Sequence, residues 1–219
     1  MSGALAGKRV LVSAGPTFED IDPVRFLGNR SSGKMGFAVA RAAHEAGAEV
    51  VLVAGPVHLD TPAGVQRMDV RSATQMHAAV LGALPADVYV GAAAVADFTP
   101  RQVSEHKIKK TAGSDTLVLE LVRSPDVLAD VATHVMRPAL VVGFAAETHE
   151  VERYARGKLA SKRLDLIAAN LVGAAEGGFE RDDNTLLVYW DGGECRLGPA
   201  PKCEVAARLV DLVARRLPA

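Results

Sequence analysis

The 219-residue sequence has little cysteine, few aromatic residues and no long apolar run. Its two cysteines, Cys195 and Cys203, form no CxxC pair, which argues against a disulfide-stabilised fold and against a cysteine zinc site. No apolar stretch approaches the roughly 20 residues that a membrane-spanning helix needs. The first residues also lack the apolar core of a secretory signal. We therefore expect a cytoplasmic protein that does not associate with a membrane.

An excess of charge of one sign is also missing. The chain has 25 basic and 26 acidic residues and a net charge of −1, which argues against a protein that coats nucleic acid. Any phosphate binding must then come from a local cluster of residues. Hydrophobic residues make up 49% of the chain, and a globule of this length buries roughly 70% of its unfolded surface. These properties favour one large domain over residues 1–219.

Strand-like and helix-like patterns alternate along the chain at βαβ spacing. Strands are predicted at 8–15, 49–56, 87–98, 116–122, 139–147 and 164–170. Helices are predicted at 34–48, 72–84, from Ser124 onward, 151–163 and 201–217. Residues 185–197 predict a hairpin that turns at 191–193. The pattern indicates an α/β fold: a three-layer, Rossmann-like, mostly parallel sheet with helices on both faces, plus a C-terminal β-hairpin.

Ligands of such sheets bind beyond the carboxyl ends of the strands, here residues 14–16, 92–97, 143–147 and 169–170. A glycine-rich segment that precedes a predicted helix is a further candidate, although it follows Asp22-Pro23 and not a buried strand. The segment is GNRSSGKMG at residues 28–36, and its candidate phosphate-loop residues are Ser31, Ser32, Gly33 and Lys34. Free N–H groups, a lysine and a helix N-terminus together bind anions. It is not a true P-loop, because Met35 replaces the Ser or Thr that holds Mg²⁺. The alternative is a glycine loop that only caps the helix.

Three further segments carry candidate ligand-binding side chains. The basic loop within 104–115 has Lys107, Lys109 and Lys110, which suit a triphosphate, or else form an ordinary solvated charge run. Small residues at 92–98 allow a ligand close to the backbone, and Asp97 there either contacts a sugar hydroxyl or metal or caps the loop.

The third segment follows another strand end. Phe144 could pack on a nucleobase, while Lys158 and Lys162 share one helix face and are otherwise ordinary exposed lysines. The first strand ends in SAGPT with no GxGxxG, which weakens a dinucleotide-binding interpretation.

Taken in order, these segments resemble a known family. AGPTFEDIDPVRFLGNRSSGKMG, AAAVADF, KIKK, GFAAET and KLASKRLDLIAAN are similar to segments of the phosphopantothenoylcysteine synthetase domain of bacterial coenzyme A biosynthesis, over nearly the whole chain. The resemblance implies an acid–amino-acid ligase that joins 4'-phosphopantothenate to L-cysteine. CTP activates the substrate as an acyl-cytidylate, with Mg²⁺, and is converted to CMP and pyrophosphate.

In many bacteria this domain follows a flavin-dependent decarboxylase. That half is not among these residues, so FMN is not expected here.

The resemblance also implies roles for individual residues. Lys107 matches the lysine needed to form the acyl-cytidylate, and Asn29 matches the asparagine needed for the second step. Contacts with CTP are expected from Gly91, Ala92, Ala93, Asp97, Lys107, Val122, Arg123, Ser124, Pro125, Phe144, Lys158 and Lys162. Phosphopantothenate is expected at Arg25, Asn29 and Ala93, and a metal at Asp97. Arg123 and Ser124 depart from the Lys-Asn of some members, which puts their side-chain contacts in doubt.

A homodimer with the active site near the subunit interface is a further implication of the resemblance. Leu186, Val188 and Trp190 alternate along one face of the predicted hairpin, and this face needs cover inside the subunit or across an interface. Two other functions remain open from the residues alone. One is a nucleotide-dependent oxidoreductase on a Rossmann-like sheet, and the other is a nucleotide-binding module without catalysis.

Overall fold

The computed structural model describes residues 3–110, 115–147, 149–171 and 182–218. Its strands are β1 (Arg9–Ala14), β2 (Phe18–Asp22), β3 (Arg25–Gly28), β4 (Glu49–Ala54), β5 (Gln66–Asp69), β6 (Val88–Gly91), β7 (Phe98–Pro100), β8 (Leu121–Arg123), β9 (Leu140–Glu147), β10 (Leu166–Leu171), β11 (Asp183–Trp190) and β12 (Gly193–Pro201). Its helices are α1 (Lys34–Glu45), α2 (Ala73–Gly82), α3 (Val127–Thr133), α4 (Val151–Ser161) and α5 (Lys202–Arg216).

The main sheet has eight strands in the order β12-β11-β10-β9-β6-β1-β4-β5. Six of them, from β10 to β5 across the sheet, are parallel, and β11 and β12 run antiparallel at one edge. Counted along the chain, the parallel strands lie in the doubly wound order 3-2-1-4-5-6. The order reverses between β1 and β6, so a crevice opens beyond the carboxyl ends of these two strands.

Alternate strand residues supply two hydrophobic cores, one on each face of the sheet. Val10 and Val12 of β1 point into the core covered by α1 and α5, whereas Leu11 points into the core covered by α2, α3 and α4. This alternation follows from the two-residue period of a strand. The predicted three-layer α/β arrangement is therefore confirmed.

The predicted C-terminal hairpin is also confirmed, with strands longer than expected. Leu186 and Val188 are fully buried in the core that α1 and α5 share with this edge of the sheet, and Trp190 packs against the same core. The apolar face of the hairpin is thus covered inside the subunit. It gives no support for a dimer.

Two helix ends match the sequence pattern and one does not. Ser72 caps α2 in a capping box with Gln75, and Gly47, at φ +95°, ends α1 as a glycine cap should. The expected start of α3 at Ser124 is wrong, because Asp126 is the N-cap. The Asp126 carboxylate accepts a hydrogen bond from the Ala129 N–H at 3.1 Å. This bond gives a partner to one of the N–H groups that the first turn of a helix leaves unpaired.

The structure corrects the sequence-based elements between residues 98 and 123. The predicted strand at 116–122 is wrong except at its end, since only β8 forms and it pairs with β7. Val118 is 88% exposed because the segment before β8 pairs with no strand among the described residues. The sequence also missed the β2–β3 hairpin, whose acidic residues hide the strand pattern. The predicted loop at 104–115 has no helix or strand at 104–110, and 111–114 lie outside the described residues.

None of the helices in the described part of the chain has the length and apolar character that a membrane span requires.

Close packing of α1 on the end of β1 generates a stability prediction. A Cβ added at Gly36 would lie 2.5 Å from the Ala14 Cβ, so Gly36→Ala should overpack the core and lower the free energy of unfolding by about 1–3 kcal/mol. Gly157→Ala is the matched control. A Cβ there meets nothing within 4 Å in α4, and the change should add about 0.5–1 kcal/mol. Urea unfolding of both variants measures this, and equal effects would contradict the packing argument.

Candidate active site

The crevice at the strand-order reversal is lined by backbone and small side chains. After β1, the chain continues beside residues 92–96. The N–H of Ala92 donates to the Ser13 carbonyl at 2.9 Å, and the N–H of Ala94 donates to the Gly15 carbonyl at 2.8 Å. The N–H of Ala96 donates to Thr17 Oγ1 at 2.9 Å. These bonds fix the AAAVADF segment in an extended path and leave little side-chain bulk above it, so a ligand can approach closely.

The crevice contains two adjoining cavities of about 420 Å³ and 480 Å³, here called the first and second compartments. Both are lined by the same five residues at their junction: Ala93, Val95, Asp97, Phe144 and Lys158. The first compartment extends over the 29–36 loop, and the second over residues 123–128. Two ligands could therefore bind with their reacting ends at the junction.

The 29–36 loop is held in place by hydrogen bonds within the loop and by one to the 92–96 segment. Asn29 Nδ2 donates to the Ala94 carbonyl at 3.1 Å, and the Ser31 N–H donates to the Asn29 carbonyl at 2.9 Å. Gly33 is the N-cap of α1 at φ +75°, a left-handed conformation that favours glycine. No side chain of the described residues caps the helix. The first-turn N–H groups, which lack intrahelical partners, therefore suit an anion in the first compartment.

Lys158 of α4 and Lys162, which directly follows the helix, supply positive charge to the second compartment. Lys158 Nζ donates to the Phe144 carbonyl at 2.9 Å, and Lys162 Nζ pairs with an Asp126 carboxylate oxygen at 2.8 Å. Burial lowers the pKa of Lys158, and the adjacent Lys162 ammonium lowers it further. A bound anion would reverse this effect, because it stabilises the charged form.

Hydroxyl groups line the floor of the second compartment. Ser13 Oγ and the Tyr89 hydroxyl lie 2.8 Å apart, both buried. Burial raises the pKa of Tyr89, so the phenol stays neutral. Ser124 Oγ is buried and has no hydrogen-bond partner among the described residues. These groups offer neutral hydrogen bonds to a ligand.

A basic segment, residues 101–110, leaves β7 beside the second compartment, and we call it the flap. It is tied to the β2–β3 hairpin through Asp22, whose buried carboxylate accepts from the N–H groups of Val24, Arg25 and Ile108 at 2.9, 2.9 and 3.1 Å. The Arg25 guanidinium pairs with the same carboxylate and donates to the Ile108 carbonyl at 3.0 Å. The hydrogen bond from Arg25 is the largest of the effects that hold the pKa of Asp22 well below its usual range.

The structure brings most of the sequence-derived site residues to this crevice. The first compartment is lined by Asn29, Ser31, Ser32, Gly33, Lys34, Ala92 and Ala93, and the second by Gly91, Ala93, Asp97, Arg123, Ser124, Pro125, Phe144, Lys158 and Lys162. Lys107, Arg25 and Val122 line neither compartment. Lys107 is exposed on the flap, and Arg25 holds that flap to the hairpin. Their expected ligand contacts stay predictions.

Sequence reasoning missed several lining residues, among them four polar ones. Ser13 and Tyr89 lie within apolar strands and look like core positions. Asn184 and Lys202 come from the C-terminal hairpin and the start of α5. Lys202 had one usable signal, a lysine at the first position of an amphipathic helix directly after a proline.

Comparison with known proteins identifies the family. Residues 5–217 match the model described as the DNA/pantothenate metabolism flavoprotein C-terminal domain. The chain belongs to this family. The similarity to the synthetase domain of coenzyme A biosynthesis is thereby confirmed.

The chain is 50% identical over 210 residues to the coenzyme A biosynthesis bifunctional protein CoaBC of Vibrio cholerae serotype O1, covering 95% of this chain and 53% of that protein. It is 46% identical over 216 residues to the protein of the same name from Bacillus subtilis, covering 97% of this chain and 52% of that protein. The chain thus spans about half the length of these relatives. A crystal structure of the C-terminal domain of CoaBC superposes with a TM-score of 0.83 at 40% identity, covering 99% of this chain and 98% of that one.

The tie between the flap and the hairpin generates a second prediction. Asp22→Asn removes the negative charge that holds Arg25 and the Ile108 N–H, so trypsin should cleave after Lys107, Lys109 or Lys110 several times faster than in the wild type. Asp20→Asn is the matched control, because Asp20 lies on the same strand but pairs with Arg71 instead.

The pH dependence follows from the lowered pKa. The stabilisation that the ionised Asp22 gives to the flap is fully present above the ordinary carboxyl pKa of about 3.9. It is lost only as the pH falls through the lower pKa that Asp22 has in the folded state. The wild-type and Asp22→Asn cleavage rates should therefore differ by a constant ratio around neutral pH. Unchanged cleavage in Asp22→Asn, with a native circular dichroism spectrum, would show that the flap is held by other contacts.

Proposed function

We propose that this chain is a phosphopantothenate–cysteine ligase, which uses CTP to join 4'-phosphopantothenate to L-cysteine in coenzyme A biosynthesis. The observation that carries the proposal is a pair of compartments that meet at Asp97, Phe144 and Lys158 in a member of this family. A ligase of this type must bring a carboxylate and a nucleoside triphosphate together, and one shared junction suits that requirement. An oxidoreductase would need a dinucleotide site, and the β1 end has no GxGxxG.

The first compartment suits phosphopantothenate and the second suits CTP. The uncapped N-terminus of α1 favours an anion, and Asn29 lies at the edge of the same compartment. In the second compartment, Phe144 offers an apolar surface for the base, while Lys158 and Lys162 offer charge to phosphates. Buried hydroxyl and backbone groups discriminate strongly between bases, because a wrong base leaves them unpaired.

The reaction proceeds in two displacements at the junction. A carboxylate oxygen of phosphopantothenate attacks the α-phosphorus of CTP, and the bond to the β-phosphate oxygen breaks with release of pyrophosphate. The amine of cysteine then attacks the acyl carbon, the acyl–oxygen bond to CMP breaks, and the amine loses a proton. Lys158 offsets negative charge at the junction, and Lys107 on the flap offsets charge on the departing phosphates.

Mg²⁺ fits this site as an ion that arrives with the nucleotide. Among the described residues, no group of three or more His, Cys, Asp or Glu side chains could hold a metal alone. Mg²⁺ is commonly bound by one or two carboxylates together with substrate phosphates, and Asp97 supplies one carboxylate at the junction. Bound there, it would neutralise phosphate charge.

Pyrophosphate release tests the function and the two residue roles together. The wild type should release pyrophosphate with CTP, phosphopantothenate and Mg²⁺, far faster than with ATP, and should form the amide only when cysteine is added. Lys107→Ala should lower the rate of pyrophosphate release about 10²–10³-fold, the usual cost of removing one such electrostatic group. Asn29→Ala should still release pyrophosphate in a single turnover and accumulate an acyl-cytidylate detectable by mass spectrometry.

Three outcomes would contradict this assignment. Absence of CTP-dependent pyrophosphate release from the wild type would reject the ligase. Equal kcat/KM for CTP and ATP would reject the expected nucleotide selectivity. If Asn29→Ala blocks pyrophosphate release as fully as Lys107→Ala, Asn29 acts before activation and positions phosphopantothenate. Both variants should keep the wild-type circular dichroism spectrum, because both side chains are exposed outside the core.

We also propose a homodimer formed through the two small β-ribbons. Apolar side chains on and beside these ribbons are exposed: Val24, Phe26, Phe98, Leu117, Val118 and Leu121. The β2–β3 and β7–β8 ribbons contact each other, so these side chains lie on neighbouring elements. Exposed apolar side chains gathered on neighbouring elements often mark an interface. A second copy of the chain would cover it close to the flap.

Light scattering tests the dimer with one pair of variants. Val118→Glu should shift the wild-type dimer to a monomer, because it buries a charge in the interface. Val135→Glu is the matched control, because Val135 is 96% exposed and precedes β9 in the chain, whereas the two ribbons follow β1 and β6. This variant should stay dimeric. A monomeric wild type at working concentration, or equal behaviour of the two variants, would contradict the proposed interface.

A further inference from the structure

The wall of the first compartment opposite the 29–36 loop comes from the C-terminal part of the chain. Lys202 is the first residue of α5, and Asn184 is the second residue of β11. Both are buried, at 8% and 3% exposure, yet both line the first compartment and neither lines the second. A ligand in this compartment is therefore within reach of an ammonium and an amide that lie outside the motifs of the sequence analysis.

Two ammonium groups lie at this end of the compartment. Burial lowers the pKa of Lys202, and the nearby Lys34 ammonium lowers it further, while Asp182 and Asp183 act in the opposite direction. Lys34 Nζ lies 2.7 Å from Asp182 Oδ1, and the Asp182 side chain is 88% exposed. An exposed carboxylate is a weak ion-pair partner, so a bound dianion can replace it.

The Asn184 amide adds a donor that the protein satisfies poorly. Its Oδ1 accepts from the Thr185 N–H at 2.9 Å. Among the described residues, its Nδ2 meets only the Met35 sulfur at 3.7 Å, and a thioether is a weak acceptor. A buried donor without a good acceptor is costly, and a ligand oxygen in the compartment would remove that cost.

These groups surround the uncapped N-terminus of α1, whose first-turn N–H groups add further donors. We propose that Lys202, Lys34 and Asn184 bind the 4'-phosphate of phosphopantothenate, and that Lys202 determines selectivity for the phosphorylated substrate over pantothenate. The inference rests on the proposed ligase function. A phosphate held at the residues that line only the first compartment leaves the carboxylate end free to reach the junction at Lys158.

Isothermal titration of the full chain with phosphopantothenate and with pantothenate tests the inference without turnover. Lys202→Met keeps much of the side-chain length but removes the charge, and it should weaken phosphopantothenate binding about 10-fold or more, as expected for a lost charge-assisted hydrogen bond. Pantothenate binding should change little, so the preference for the phosphorylated compound should fall by the same factor. The KM for CTP should stay at its wild-type value.

Two further variants keep the test independent of folding. Lys202→Arg retains the charge and should retain most of the phosphate preference. Lys8→Met removes a lysine just before the amino end of β1, opposite the carboxyl end at which the crevice lies, and should leave both affinities unchanged. Thermal unfolding of each variant separates a loss of binding from a loss of fold.

Each remaining outcome overturns the inference. If Lys202→Met raises the KM for CTP and leaves phosphopantothenate affinity unchanged, the site binds nucleotide phosphates instead. If Lys202→Met weakens the binding of phosphopantothenate and of pantothenate equally, or weakens neither, Lys202 does not recognise the phosphate. If Lys202→Met unfolds and Lys202→Arg loses the phosphate preference while folded, the inference also fails. Failure of the ligase proposal is distinguished from all of these by absent pyrophosphate release in the wild type.

Discussion

The structure depends on the close approach of two backbones at the carboxyl ends of β1 and β6. Residues beyond β1 run beside the AAAVADF segment and exchange hydrogen bonds with it from Ser13 to Thr17. Only small residues allow this arrangement, because helix α1 packs directly on the end of β1 through Gly36. The same restriction keeps the crevice open, since little side-chain bulk is available to fill it. Packing at the strand-order reversal therefore produces both the fold and the site.

The distribution of charge around the crevice suits anions at both ends. The net charge of the chain is only −1, yet Lys34, Lys158, Lys162 and Lys202 all line the two compartments. Burial lowers the pKa of Lys158 and of Lys202, and each is further lowered by a second lysine. Bound phosphates would relieve both effects, so substrate binding and the protonation of these lysines are coupled. The overall charge is balanced, yet basic side chains are concentrated in the cleft.

The β2–β3 hairpin connects the crevice with the flap. It follows the strand end at residues 15–17, leads into the 29–36 loop, and holds the flap through the buried carboxylate of Asp22. Arg25 contacts both Asp22 and the flap backbone, so its position is structural in the described chain. The hairpin therefore connects the 29–36 loop, which lines the first compartment, with the basic segment. Its exposed apolar residues, Val24 and Phe26, lie on a hairpin that contacts the β7–β8 ribbon.

The sequence by itself determined the layers and most of the crevice, because the signals for these are local. Alternating strand and helix periods predicted the parallel sheet, the strand ends predicted residues 92–97 and 143–147 of the crevice, and the glycine-rich pattern before a helix predicted the 29–36 loop. Tertiary structure decided the rest. The apolar run at 116–122 remains largely outside any strand because no neighbouring strand lies beside it. Asn184 and Lys202 reach the loop near the start of the chain only because the hairpin and α5 pack against α1. Contacts between residues so distant in sequence leave no periodic pattern, so only the folded chain brings these donors together.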